Sequence, residues 1–457
     1  MSLSRRTILW SVAVLPLAVD RLGRGAAAQT STAVAGAPEI PPILFVHGNG
    51  DHAALWITTL WRMESNDVPR DRMFAINFTD PLARADDAKP EPNKSSTEDQ
   101  RRELGEAIQQ LKRRTGASRV ALVGNSRGGN PIRSYIKNGG GGDVSHAVLC
   151  GTPNHGVWDW DESPGSEFNG RGAFLRGLNE GDNEVTPGTA FLTLRSDGMD
   201  KYAQADGRFI GKPGVPTGVT AEGPALKGAT NLVLGTIDHR ETAFSPRAFR
   251  EIYKFIAGRE PALIAVTPEA EVRLSGLVTG TPGGVQTNRP VAGASVEIYR
   301  ESAETGERIG GAIHASQSAA DGRWGPAKVD PSWYLEMVLT SPGSTTTHLY
   351  RSPFPRSSDI VHLRAARPLA PADAGAGAVI IMLRPRGYLG LPRDVVLLDG
   401  KEPTDVKPDV PTDSVTTLRL PVAEAGRPVV AVFNQERIVA RAWPASENRI
   451  AVAELTY

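Results

Sequence analysis

Val120-Ala121-Leu122-Val123-Gly124-Asn125-Ser126-Arg127-Gly128 is an apolar run that ends in a serine flanked by glycines. A sharp strand-to-helix turn lifts a serine hydroxyl clear of a sheet only where the residues two before and two after it lack bulk. Gly124 and Gly128 meet that condition, and a helix starting there aims free N–H groups at the serine oxygen. The pattern alone is weak, because 48 of the 457 residues are glycine. Its surroundings decide the reading.

Upstream, Pro42-Ile43-Leu44-Phe45-Val46 is a continuous apolar run ending in His47-Gly48-Asn49-Gly50, and Met73-Phe74-Ala75-Ile76-Asn77-Phe78 is a second. A helix opened by Ser96 or Thr97 carries Leu104, Ala107, Ile108 and Leu111 on one face. After the serine come a helix through Ile132 and Tyr135, then a strand from His146 to Leu149. Buried strands alternating with helices predict an α/β fold, a mostly parallel sheet with helices on both faces, over residues 38–258. Beyond Glu260 the chain changes to short alternating strands between Gly, Pro and Asn turns, such as Val272-Arg273-Leu274-Ser275-Gly276-Leu277-Val278. This predicts two all-β, sandwich-like domains, 271–364 and 377–457, with the Ala- and Pro-rich segment 365–376 as linker.

A serine hydroxyl needs a base to take its proton and an acid to orient that base. His239 is the best base. It follows Asn231-Leu232-Val233-Leu234-Gly235 at a strand end, and the C-terminal ends of parallel strands share one edge with Ser126. The acid falls in the loop Ser196-Asp197-Gly198-Met199-Asp200 after the strand Phe191-Leu192-Thr193-Leu194-Arg195. Asp200 is preferred and Asp197 is the alternative; Asp159 and Asp161 are outsiders, and Asp238 reads as a turn residue. The amides of Asn49 and Arg127 are placed to hold an oxyanion. His47 reads as a structural hydrogen-bonding residue, while His52 and His155 have no assigned role.

Ser4-Arg5-Arg6-Thr7-Ile8-Leu9, an apolar stretch to Val19 and Ala26-Ala27-Ala28 read as a twin-arginine export signal over residues 1–28. The expected location is therefore periplasmic or secreted, with no later stretch able to span a bilayer. Export in the folded state agrees with the lone Cys150, which allows no internal disulfide. A net charge of +0 gives no sign of a nucleic-acid partner. None of the 8 histidines falls in a metal-binding spacing, so neither metal nor cofactor is expected.

The blocks Val46-His47-Gly48-Asn49-Gly50, 124–128, Tyr135-Ile136-Lys137-Asn138-Gly139, Gly151-Thr152-Pro153-Asn154-His155-Gly156 and Asp238-His239 occur in the order seen in secreted bacterial lipases. Residues 40–258 thus resemble that family of the α/β-hydrolase superfamily. The resemblance implies carboxylic ester hydrolysis without a cofactor. It carries Ser126, Asp200 and His239 over as nucleophile, acid and base, with Asn49 and Arg127 as oxyanion donors. The layout also resembles lipases whose C-terminal β-domain helps bind long acyl chains. Leu274-Ser275-Gly276, Pro290-Val291-Ala292-Gly293-Ala294-Ser295-Val296 and Ala320-Asp321-Gly322-Arg323-Trp324 resemble a carboxypeptidase-regulatory, prealbumin-like sandwich.

This chain departs from many such relatives, which place histidine before the nucleophile and an apolar residue after it. Asn125 and Arg127 stand there instead. The Arg127 guanidinium is expected to crowd or polarise the acyl pocket, or to bind an anionic substrate. Residues 157–190, with Trp158, Trp160 and Phe168, read either as a lid or as a decorated surface loop. The expected partner is an ester substrate, including one at a lipid or polymer surface. The rival functions are an extracellular polyhydroxyalkanoate depolymerase and a non-catalytic adhesion protein.

Overall fold

The computed structural model describes residues 39–457; the export signal read over residues 1–28 lies outside them. Residues 40–457 form one compact unit. Its first part is a six-stranded sheet, β1 (Ile43–Val46), β2 (Met73–Ala75), β3 (Val120–Asn125), β4 (Val144–Cys150), β5 (Ala190–Ser196) and β6 (Thr230–Leu234). The spatial order is β2-β1-β3-β4-β5-β6, and every neighbouring pair is parallel.

The central strands β1, β3 and β4 are apolar on both faces because helices cover both, whereas the edge strand β6 is largely exposed. Ile43, Phe45, Ala121 and Val123 point into a core shared with α1 (Ile57–Glu64) and with the helix Pro246–Ala257. Leu44, Val46, Val120 and Leu122 point the other way, onto α2 (Thr97–Thr115) and α3 (Gly129–Lys137). The predicted stripe Leu104, Ala107, Ile108 and Leu111 is buried. Ser96 caps α2 in a reciprocal box with Asp99, which settles the choice between Ser96 and Thr97. Cys150 is buried in β4, where burial pushes its thiol up.

The remainder is all β, as expected. Its largest sheet has seven strands in the order Val415–Leu420, Ala378–Leu383, Arg449–Glu454, Thr346–Arg351, Tyr334–Thr340, Ser295–Glu301 and His314–Gln317. Strands from both sides of the 365–376 segment therefore share one sheet. The joint is Arg449–Glu454, which runs parallel to both Thr346–Arg351 and Ala378–Leu383. Trp61 of α1 enters the core of this β region and donates through Nε1 to the Ser357 carbonyl at 3.0 Å. Among the described residues, no helix is long and apolar enough to cross a membrane.

Candidate active site

Ser126 follows β3 directly and has φ of +52°, a conformation that costs a non-glycine residue energy and recurs at functional turns. The neighbouring glycines are required by contact. A Cβ on Gly128 would lie 2.5 Å from the His47 carbonyl oxygen, and one on Gly124 would lie 2.6 Å from the Ile132 side chain. A Cβ on Gly48 would lie 2.9 Å from Ser126 Cβ, so the loop after β1 packs directly against the serine turn. Asn49 lies on that loop, and its side-chain oxygen accepts from the Ala83 amide at 2.8 Å.

His239, in the turn after β6, is 4% exposed. Its Nδ1–H donates to Asp200 Oδ2 at 2.7 Å, and Asp200 Oδ1 accepts from the Tyr202 amide at 2.8 Å. This leaves Nε2 on the opposite edge of the ring, buried and, among the described residues, with no hydrogen-bond partner. Ser126, His239 and Asn49 line one cleft of about 540 Å³, with Trp158, Phe168 and Tyr202 among its walls. Asp197 does not reach the histidine; its oxygens accept from the Thr236 and Met199 amides at 2.7 and 3.2 Å. Asp159 and Asp161 pair with Arg171 at the surface.

The Arg127 side chain departs from expectation. Rather than entering the cleft or facing an anionic substrate, it is fully buried and saturated by protein acceptors. Nε donates to Glu167 Oε1 at 2.6 Å, Nη1 to the Pro81 carbonyl at 3.0 Å and Nη2 to the Ser95 carbonyl at 2.8 Å. Glu167 also accepts from Asn130 on α3 at 3.0 Å. The inner part of the aromatic 157–190 segment is thereby tied to the serine turn. Asn125 acts similarly: its Nδ2 donates to the Cys150 carbonyl at 3.1 Å and to Thr242 Oγ1 at 3.4 Å. Thr242 in turn donates to the His239 carbonyl at 2.7 Å.

The other histidines are structural or peripheral. His47 Nδ1 donates to the Gly48 carbonyl at 2.9 Å and Nε2 accepts from the Phe78 amide at 3.1 Å. Burial drives its pKa down to about 4, so the ring is neutral, as its structural role requires. His155 meets Glu184 at 2.9 Å.

Sequence reasoning named none of the residues that the β region brings to the cleft. Tyr388, Thr412, Asp413, Ser414 and Val415 line the cleft beside Ser126. Arg384 donates to Asp238 at 3.0 Å and to Glu241 at 2.6 Å, so both carboxylates flanking His239 and Arg240 are held from the far end of the chain. Tyr388 adds a backbone donor to Asp238 at 2.8 Å. Burial, with Glu241 close by, raises the Asp238 pKa despite Arg384 and Arg393 beside it. Asp238 is thus a buried bracing residue as well as a turn residue. No local signal marked that bracing role.

Residues 41–154 match the family model described as lipase (class 2). Residues 270–368 match the one described as lipase C-terminal domain. Together the matches support an ester hydrolase of the α/β-hydrolase, lipase and esterase kind. The second covers the segment whose turns resemble a carboxypeptidase-regulatory sandwich, and its description is that of a lipase tail. Among solved structures, the gene lin2722 product of Listeria innocua is similar at 17% identity and a TM-score of 0.35, covering 49% of this chain and 96% of that one. Lipase BlEst2 of Bacillus licheniformis, in mature form, is similar at 20% identity and a TM-score of 0.34, covering 48% of this chain and 93% of that one. Phospholipase PlaB of Legionella pneumophila is similar at 12% identity and a TM-score of 0.32, with 72% of this chain and 94% of that one covered.

Proposed function

We propose that the protein is a serine carboxylic-ester hydrolase of the lipase or esterase type, exported through its twin-arginine leader. The observation that carries this reading is the His239 ring, bound to Asp200 at 2.7 Å on one edge and left unpartnered on the other, in the cleft that Ser126 lines. In the proposed cycle His239 Nε2 takes the Ser126 proton as the hydroxyl oxygen attacks the ester carbonyl. The amides of Asn49 and Arg127 hold the resulting oxyanion. His239 then gives the proton to the leaving alcohol, and a water activated by the same ring releases the acid and restores Ser126. Asp200 keeps the imidazole in the tautomer this requires.

The experiment is Ser126→Ala assayed on a p-nitrophenyl ester, alongside covalent labelling of the unmodified protein by a fluorophosphonate. The expected result is a folded, inactive variant that takes no label. Retained hydrolysis or labelling in that variant would reject Ser126 as nucleophile.

A further inference from the structure

A second cavity of about 420 Å³ shares Gly50, Asp51, Arg240, Gln286, Ser414 and Val415 with the cleft beside Ser126, so the two lie side by side. One wall of this cavity is an apolar face of the seven-stranded sheet, with Leu349, Ile381, Leu383 and Val452. The opposite side carries His52, His362 and Arg364. The two imidazoles stack at 3.6 Å between ring centres, and burial holds both well below the usual histidine range, so neither contributes charge near neutral pH.

Three arginines line the cavity, and two are neutralised. Arg240 pairs with Asp51 at 2.8 Å and Arg367 with Asp373 at 2.6 Å. Glu454, the other carboxylate on the wall, is taken by Arg351. Arg364 is different. Its Nε donates to Thr279 Oγ1 at 3.2 Å, and its Nη2 to the Thr287 carbonyl at 2.7 Å and Asn288 Oδ1 at 3.3 Å. Among the described residues no carboxylate forms a salt bridge with it, Asp51 acting on it only from farther off, and Nη1 has no acceptor. A half-buried cation with no carboxylate in contact is costly, and an incoming anion would relieve that cost.

We propose that this second cavity is a carboxylate subsite, in which Arg364 holds the free acid end of an elongated ester while the scissile bond lies at Ser126. The apolar sheet face accommodates the chain between the two ends. One guanidinium without a salt-bridge partner, beside two neutral rings, matches a single negative charge. The proposal rests on the ester-hydrolase reading, and it makes the β region a selector of substrates that carry a distal carboxylate.

The test compares p-nitrophenyl esters of neutral straight-chain acids with the mono-p-nitrophenyl esters of dicarboxylic acids, over a series of chain lengths. The expected result is a preference for the acidic ester of about tenfold in kcat/KM, peaking at one length because the Ser126-to-Arg364 separation is fixed. Arg364→Gln should abolish that preference, read as the ratio of acidic to neutral ester hydrolysis by the same variant, and Arg364→Lys should keep part of it. In the unmodified enzyme added salt should shrink the preference, a readout that does not depend on the variant folding. Neutral-ester hydrolysis with no acid preference at any length, or a preference that survives Arg364→Gln, would overturn the subsite alone. Hydrolysis of neither ester would overturn the ester-hydrolase reading, and the subsite with it.

Discussion

Arg127 and Arg384 each anchor a buried charge cluster beside the candidate catalytic groups, one behind the nucleophile and the other behind the base. Arg127 and Glu167 lie forty residues apart within the α/β part of the chain. Arg384 comes from the β region to reach Asp238 and Glu241, 146 and 143 residues away. The serine turn is therefore braced from within its own domain, whereas the histidine turn is braced by the C-terminal part. The β region thus braces the turn that carries the proposed base, beyond any role in meeting substrate.

Of the two bracing arginines, Arg384 should give the larger effect: Arg384→Met strips the main partner from a buried carboxylate. Removing one member of such a pair costs about 3–5 kcal/mol. Turnover should fall on the order of 10²-fold as the histidine turn shifts. Urea unfolding and p-nitrophenyl ester turnover report the two quantities, and native turnover in the folded variant would sever the β region from the base.

Arg127→Met should come next, at about 3 kcal/mol, because Glu167 would be left buried and unpaired. Combining it with Glu167→Leu should recover all but about 1 kcal/mol, since the paired charges are then removed together. Failure of the double variant to recover would mean that the carbonyl contacts of Arg127, rather than the ion pair, hold the turn.

The smallest effect is one of pH, at His47, which feels both Arg127 and Arg240. Its imidazole is neutral in the fold, with a pKa of about 4 against 6.5 in an open chain. The unfolded chain therefore binds a proton first, and stability present above pH 6.5 is lost as pH falls toward 4. Near pH ~5.5 the loss should be roughly 1 kcal/mol, and His47→Asn should flatten that part of the urea-midpoint profile. His52 and His362 act in the same direction, so the slope should shrink without vanishing.

How much of this was legible in the sequence follows from the range of the interactions. The six parallel strands and their helices are written in local periodicity, and the strand ends bring Ser126, His239 and Asp200 to one edge. Those parts could be read. The destination of the Arg127 side chain could not, because its partner lies in an aperiodic loop whose packing leaves no pattern. Nor could the insertion of Arg449–Glu454 between two distant strands, since an alternating strand does not encode its neighbour. Tyr388 and Arg384 lie in a stretch with no motif, and only the closed fold brings them beside the base.

The account turns on Asp200 being the carboxylate that orients His239. Turnover of Asp200→Asn set beside that of Asp197→Asn tests this most directly. Asp200→Asn should lose about 10⁴-fold in kcat while Asp197→Asn stays within about tenfold of the unmodified protein. The reverse order, or two variants of near-native turnover, would contradict it.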